Sequence, residues 1–146
     1  AEAVPPHTAA AETDHPLALA AAATVTSVVE SMAGLGFKSA SEAILQLAIS
    51  ANGHLNDTAP WSRMKQPGQE VEVGDDLYAV LEATRIVGLL LAPLLPDLSD
   101  RILAQLGHAL NEDAWLAQLS WGGLASGAHL PQPTPVMQRL ELEGEL

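Results

Sequence analysis

The sequence contains no cysteine, few aromatic residues and few basic ones. The absence of cysteine excludes disulfide bonds, thiolate metal sites and cysteine nucleophiles, and it fits a cytoplasmic protein. Aromatic residues make up only 3% of the chain, so leucine, alanine, valine and isoleucine must fill any core. Neither apolar run, 16–29 or 86–96, reaches the roughly 20 residues that span a bilayer. We therefore expect a soluble protein without a membrane partner.

Positive charge is the scarcest property of the chain. Six lysines and arginines stand against 18 acidic residues, which gives a formal net charge of −12. Such a charge repels phosphate and argues against sequence-independent binding of nucleic acids. Only Arg63 and Lys65 are basic residues close in sequence, and they follow Trp61. This loop is the least unfavourable place for an anionic partner.

What the chain does contain is enough apolar material for one domain. It has 146 residues, of which 48% are hydrophobic, and this length suffices to bury a real core. Residues 1–14 are small, polar and proline-bearing, which predicts a linker or frayed lead-in. Residues 15–118 are predicted to form a helical bundle. Residues 119–146 are rich in glycine and proline and predict an extended C-terminal tail that packs on another surface.

Helical signals dominate the bundle region. Asp14 is predicted to cap the first main helix, Ser39 with Glu42 forms a capping-box pattern for the second, and Asp75 with Asp76 begins the third. Four main helices are predicted at 15–34, 39–58, 75–92 and 97–107, with one or two further turns within 111–119. The fold class is therefore all-α, an antiparallel helical bundle with an irregular C-terminal extension that allows for a short strand pair.

Three apolar stripes at helical spacing define the candidate core. The members, grouped by predicted helix, are Leu17, Ala21, Val25, Val28, Val29 and Met32; Ile44, Leu47, Ala48, Ala51 and Leu55; and Leu77, Val80, Leu81, Thr84, Gly88 and Leu91.

No pattern in the chain predicts catalysis. There is no glycine-rich phosphate loop, no G-x-S-x-G elbow and no H-E-x-x-H pair. The five histidines lack metal-ligand spacing, so solvated histidines are a better interpretation than a metal site. We expect no catalytic residue, metal or cofactor within these residues. The histidines are His7, His15, His54, His108 and His129.

Trp61 is the residue with two opposed interpretations. Pro60 should end the second helix, because a residue before proline avoids the helical region, and Trp61 then begins a loop that runs to about Gly74. The indole is either a hydrophobic plug over the helix end or a flat surface offered to a ligand. Physical reasoning from these residues alone favours the plug.

The other two tryptophans and one arginine are expected to have structural roles. Trp115 and Trp121 each precede an apolar or glycine-rich segment, which indicates packing. Arg85 lies inside an apolar run, where a structural ion pair or burial of its aliphatic stem is the expected role.

Three stretches together resemble one known family. "ANGHLNDTAPW" (51–61) resembles the helix ending in Ala-Pro-Trp in the anticodon-binding domain of methionyl-tRNA synthetases; Asn52, Pro60 and Trp61 match its pattern, and His54 stands where an aromatic residue is usual. "LEATRIVGLLLAPLLPDLSDRILAQLG" (81–107) is similar to the helix, proline break and helix that follow in the family. "WGGLASGAHLPQPTPVMQRLE" (121–141) is similar to the family's tail. The resemblance runs in order from about residue 16 to 142.

The resemblance implies a function in reading the CAU anticodon of methionine tRNA. In the family, the tryptophan after the proline stacks on an anticodon base. Nucleic-acid-binding candidates are therefore Trp61 and Pro60, with Asn52 as a base contact or a solvated polar residue, and Arg63 and Lys65 as phosphate contacts or simple solubilising charges. The full enzyme of the family uses ATP and methionine. With the resemblance, the base platform becomes the favoured interpretation of Trp61.

The chain also departs from the family. No helix carrying the family's Asn and Arg precedes residue 15, and the catalytic signatures are absent, so the chain is expected to be a part of a longer enzyme. A lost bundle helix should leave an apolar groove between the 16–34 and 75–92 helices that residues 1–14 are too polar to cover. The partners expected are the anticodon loop, the missing catalytic portion and, for the isolated fragment, a second copy. The alternative function is a helical protein-interaction bundle with an acidic surface.

Overall fold

The computed structural model of the chain describes residues 3–136. Within this range the fold is all-α, as predicted, and its helices are bounded differently at several ends. They are α1 Ala9–Thr13, α2 Pro16–Ala33, α3 Phe37–Thr58, α4 Pro60–Arg63, α5 Glu70–Leu91, α6 Pro96–Gln105 and α7 Trp115–Gln118, with a 3₁₀ turn at Glu112–Ala114.

Helix α5 lies at the centre of the bundle and packs against α1, α2, α3, α4 and α6. The predicted stripes of α2 and α3 are confirmed in that Leu17, Ala21, Val28, Ile44 and Leu47 are buried. The single stripe predicted for α5 is wrong, because this helix is surrounded by other elements and is buried on nearly all sides. Its buried apolar residues are Val73, Tyr78, Ala79, Ala83, Ile86, Val87, Leu89 and Leu90.

The caps predicted for three helices are wrong, although α2 and α3 start within two residues of the predicted positions. His15, and not Asp14, is the N-cap of α2, since its Nδ1 accepts from the Leu17 N–H at 3.1 Å. Helix α3 starts two residues before the Ser39–Glu42 pattern, after Gly36. Helix α5 starts at Glu70, so Asp75 and Asp76 lie inside it.

The turn between α2 and α3 contains two glycines, Gly34 and Gly36, but neither is its left-handed residue. The residue in the left-handed region is Leu35, with φ of 60°, and neither Gly34 (φ of −91°) nor Gly36 (φ of −82°) adopts it. The Gly36 N–H donates to the Ser31 carbonyl at 2.7 Å and closes the turn.

The N-terminal segment packs onto the bundle, in contrast to the frayed lead-in that its composition predicts. Val4 and Ala11 are each 1% exposed, and α1 contacts both α2 and α5. The Thr8 N–H and hydroxyl both donate to the Asp75 carboxylate at 2.7 Å. The expectation that this segment was too polar to cover these helices is therefore corrected: two small apolar side chains and a pair of hydrogen bonds suffice.

The C-terminal segment is held by a buried ion pair, which confirms the interpretation of Arg85. Glu82 and Arg85 are 0% and 1% exposed, and the Arg85 Nε donates to Glu82 Oε1 at 2.8 Å. The guanidinium also donates to the carbonyls of Gln118 and Ser120 at 2.6 Å. Backbone N–H groups of the segment in turn donate to the Glu82 carboxylate; they belong to Gly122, Gly123 and Leu124.

The tail forms no strand pair within the described residues. Its one ladder contact is an isolated antiparallel bridge between Ala3 and His129. Residues 137–146 of the predicted tail, and with them the end of the family-like stretch 121–141, lie outside the described part of the chain. Trp115 and Trp121 are packing residues, as predicted, and their indole N–H groups donate to the carbonyls of Leu89 and Ala11 at 2.7 and 2.9 Å.

One helical stretch, residues 9–33, is long and apolar enough by length and composition to cross a membrane; its most apolar 18-residue window has a mean hydropathy of 1.4 and is 22% buried. The core helix of a helical bundle passes the same test. In this stretch α2 packs against α3 and α5, and many of its apolar residues are alanines. The packing therefore favours the bundle interpretation of this helix.

An open apolar groove lies on a different face from the one expected. It is a depression of about 490 Å³ between α3, α5 and α6, lined by residues that include Ile44, Leu45, Leu91 and Leu95. Leu45 and Leu95 are 61% and 52% exposed. The predicted groove between α2 and α5 is instead contacted by α1.

Candidate nucleic-acid interface

A single helical turn, α4, presents the candidate site. Pro60 breaks the preceding helix as predicted. Helix α3 ends at Thr58, and its C-cap, Ala59, has a left-handed backbone with φ of 42° and ψ of 61°. A residue with a Cβ pays about 1–2 kcal/mol for this conformation. Pro60 is buried and starts α4 at its first position, where a missing N–H costs nothing. The predicted loop from Trp61 to Gly74 is thus replaced by α4, a short connection and the first turn of α5.

Trp61 differs from the other two tryptophans in its exposure. Its side chain is on the outer face of α4, and the residue is 55% exposed. Trp115 and Trp121 are partly buried, and each donates its indole N–H to a carbonyl. A plug over a helix end would be covered on one face and at its edges. Trp61 is therefore the most exposed of the three tryptophans.

Arg63 attaches α4 to α5 and does not project into solvent. Its Nη1 donates to Asp76 Oδ2 at 2.6 Å, its Nη2 donates to Glu72 Oε2 at 2.9 Å, and its Nε donates to Gln69 Oε1 at 3.4 Å. The hydrogen bond to Asp76 is the main reason that the pKa of Arg63 is raised above its ordinary value. The guanidinium is therefore occupied by carboxylates of its own chain.

Asp76 joins four helices. Its Oδ1 accepts from His15 Nε2 at 3.2 Å and from His54 Nε2 at 2.9 Å, while its Oδ2 accepts from Arg63. These donors lie at the start of α2, near the end of α3 and on α4. Partial burial would raise the pKa of Asp76, but the hydrogen bonds from Arg63, His15 and His54 outweigh burial and hold the pKa below its ordinary value.

The cluster of His15, His54 and Asp76 has the composition of a metal site. The potential ligand atoms lie within 4.8 Å of one another. However, His15 Nδ1 accepts the Leu17 N–H, so its proton is on Nε2, the nitrogen that a metal would need. The Arg63 guanidinium adds a positive charge at the second oxygen of Asp76. The arrangement fits a hydrogen-bonded hub better than a metal centre.

His129 is exposed, as expected, but the other four histidines are partly buried and are not the solvated groups that their spacing suggested. The side chains of His7 and His15 are 5% and 9% exposed, and that of His54 is 20% exposed. The His7 ring stacks on Tyr78 with 3.5 Å between ring centroids. Residues distant in sequence meet here, which no spacing rule could reveal.

The remaining sequence candidates, Asn52 and Lys65, lie in two different settings. Asn52 is exposed on α3 and borders an apolar depression that also includes Leu55 and Val80. Lys65 is exposed just after α4. An exposed indole, an exposed lysine and one paired arginine thus lie on or beside α4, and the exposed Asn52 amide lies about two helical turns earlier, on α3.

Sequence reasoning missed the hub around Asp76. Glu72 and Asp76 are four residues apart and face α4 together, which is a readable helical signal. Placing the start of α5 at Asp75 and Asp76 made these carboxylates look like caps and concealed the signal.

The chain is similar to known proteins in both sequence and structure. A family model described as the anticodon binding domain of methionyl tRNA ligase matches residues 4–144. The methionine–tRNA ligase of Synechocystis sp. is 40% identical over 121 residues, which cover 76% of this chain and 23% of that protein. The Bacillus subtilis ligase is 31% identical over 139 residues, covering 94% of this chain and 21% of that protein.

A solved structure agrees with these matches. The apo form of Mycobacterium tuberculosis methionyl-tRNA synthetase superposes with a TM-score of 0.75 at 27% identity, over 97% of this chain and 28% of that one. The chain spans less than a third of the length of these relatives. The matches do not favour the alternative of an unrelated interaction bundle. The chain belongs to the family of anticodon-binding domains of methionyl-tRNA ligases.

Proposed function

We propose that this domain recognises the CAU anticodon loop of methionine tRNA, with Trp61 as a platform on which an anticodon base stacks. The observation that carries the proposal is the 55% exposure of Trp61 on α4. Single-stranded bases are recognised by stacking on aromatic side chains together with hydrogen bonds to their edges. An exposed indole face supplies the first of these, and family membership supplies the class of RNA.

The other candidates have distinct roles in this proposal. Pro60 fixes the turn that carries Trp61. The exposed Asn52 amide supplies a hydrogen bond to a base edge, and Lys65 approaches a phosphate. Arg63 holds α4 against α5, since its guanidinium is bound to Asp76 and Glu72.

The strongly acidic chain leaves most phosphate contacts to the rest of the enzyme. We propose that a catalytic portion, which uses ATP and methionine, completes the ligase, and that the protein works in the cytoplasm. Cell fractionation with an antibody against the domain tests the location.

The isolated fragment is predicted to self-associate through exposed apolar surface. A concentration-independent monomer in light scattering would contradict that prediction.

The stacking role is tested by Trp61→Ala with Met64→Ala as its matched control. Met64 lies three residues further on and is 63% exposed, so its loss removes apolar surface without removing an aromatic face. The affinity for a CAU anticodon stem-loop is measured by titration calorimetry. Trp61→Ala should weaken binding by about 1–3 kcal/mol, Trp61→Phe by less, and Met64→Ala hardly at all.

Thermal unfolding of the same variants separates the two interpretations of Trp61. An exposed platform contributes little to stability, so Trp61→Ala should leave the melting temperature nearly unchanged. A large fall in the melting temperature with unchanged RNA affinity would mean that Trp61 is a plug and that the proposed function is wrong.

A further inference from the structure

We propose that Asp76 is a positioning residue for the RNA-binding platform, acting through Arg63 to hold α4 and Trp61 in their binding orientation. The inference rests on the proposed stacking function of Trp61. Asp76 itself is not placed against the RNA.

The first step in the argument is that α4 cannot hold its own shape. It has four residues, whereas isolated helices need about 12–15 residues to be even marginally stable. Its start is strained by the left-handed Ala59. The orientation of α4 must therefore come from its contacts with the bundle.

Those contacts are few and specific. Pro60 is buried at one end of the turn, and Arg63 is bound at the other. Trp61 lies between them and is itself mostly in solvent. The ion pair from Arg63 to Asp76 is the shorter of its two ion pairs, at 2.6 Å against 2.9 Å to Glu72. The side chain of Asp76 is 15% exposed and that of Glu72 is 68% exposed, so water competes far more at Glu72.

The second step is that Asp76 is itself held in one rotamer. His15 and His54 both bond to Oδ1, which directs Oδ2 towards Arg63. His15 is fixed in turn by the N-cap bond from Leu17. The orientation of the platform is thus set by the ends of α2 and α3 as well as by α5. Pre-organisation of this kind raises affinity because the free protein has less motion to lose on binding.

The sign of the expected effect distinguishes positioning from bulk electrostatics. The protein has a net charge of −12, so removing a carboxylate should strengthen RNA binding if only overall charge matters. Positioning predicts that Asp76→Asn weakens it. The matched control is Glu70→Gln, which removes the same charge from an exposed carboxylate in the first turn of α5.

The experiment measures stem-loop affinity and, without RNA, the fluorescence anisotropy of Trp61. The signal of Trp61 is obtained by subtracting the polarised emission intensities of the same variant carrying Trp61→Phe from those of each variant. Asp76→Asn should lower this anisotropy and weaken binding about three- to tenfold. Glu70→Gln should leave the anisotropy unchanged and the affinity equal or higher. Unchanged anisotropy in Asp76→Asn would overturn the proposal.

Combining Asp76→Asn with Trp61→Ala locates the effect. If Asp76 acts through the platform, its substitution should cost little further affinity once the indole is gone. An equal loss in both backgrounds would overturn the proposal. If Trp61→Ala alone leaves affinity unchanged, the stacking function fails, while the anisotropy of free Asp76→Asn still decides whether Asp76 orients α4.

A second pair of variants covers the case in which Asp76→Asn does not fold. Arg63→Gln breaks the same ion pair from the other side and leaves the two histidines bound to Asp76. Lys65→Gln makes the same charge change two residues away on an exposed side chain. Only Arg63→Gln should lower the anisotropy of Trp61, and equal values for the two variants would contradict the proposal.

Discussion

Two arginine–carboxylate clusters are centred on α5, and they differ in how far water reaches them. Glu82 and Arg85 are completely enclosed, whereas the Asp76–Arg63 pair is at the edge of the bundle with side chains that are 15% and 22% exposed. Asp76 and Glu82 are six residues apart, or about 9 Å along the helix axis. In each cluster one carboxylate collects donors from several segments.

The two clusters hold different kinds of segment. The Glu82 cluster binds the backbone of residues 118–124, a stretch with little core of its own. The Asp76 cluster binds one side chain of α4 and leaves the neighbouring indole exposed. The first arrangement fixes the fold, and the second presents a surface. An enclosed pair should therefore control stability, and an edge pair should control orientation.

The largest expected effect comes from breaking the enclosed pair with Glu82→Gln. This change leaves the Arg85 guanidinium buried without its counter-charge, which costs roughly 3–5 kcal/mol in comparable cases. Urea denaturation followed by circular dichroism measures the free energy of unfolding. The matched change Asp76→Asn should cost only about 1–2 kcal/mol, because water can replace the lost contacts. Equal losses would show that enclosure does not explain the difference between the clusters.

A smaller effect is expected where the N-terminal segment meets α5. A Cβ at Gly74 would lie 2.5 Å from the Pro6 carbonyl oxygen, whereas a Cβ at Gly53 meets nothing within 4 Å. Gly74→Ala should therefore displace this segment and cost about 1–3 kcal/mol, while Gly53→Ala within α3 should stabilise by about 0.5–1 kcal/mol. Thermal unfolding measures both. A neutral Gly74→Ala would mean that residues 3–8 adapt freely and add little to the fold.

The smallest effect concerns pH near the enclosed cluster. Burial and the charge of Arg85 hold the pKa of His108 below its ordinary value of 6.5, and His108 Nε2 is 3.3 Å from Gln118 Nε2, whose N–H it accepts. The folded state then binds fewer protons than the unfolded state, so this contribution to stability is present above pH 6.5 and is lost as pH falls through the lowered pKa.

Replacing the imidazole tests this assignment. His108→Gln should flatten the dependence of the unfolding free energy on pH below 6.5, relative to the unsubstituted chain. The size should be well below that of the two preceding changes. An identical slope in both proteins would show that His108 does not contribute to it.

Composition and periodicity determined much about this chain by themselves. The apolar spacing of α2 and α3 predicted an all-α bundle, because a helix that packs on one face must repeat its apolar residues every three to four positions. Arg85 inside an apolar run required an ion pair, because an unpaired buried charge is too costly. Pro60 and Trp61, set among the other family motifs, located the candidate site.

Only the tertiary structure decided how that site is built. His15, His54 and Asp76 are separated by up to 61 residues in sequence, and no local pattern brings them together. Cap patterns misled for the same reason: the N-cap of α2 is His15, which also bonds to Asp76, and Asp76 lies within α5, where it pairs with Arg63. A cap pattern is a local preference of about 1 kcal/mol, and contacts between helices override it. The exposure of Trp61 is likewise visible only in the folded chain, because its sequence neighbours were compatible with both a plug and a platform.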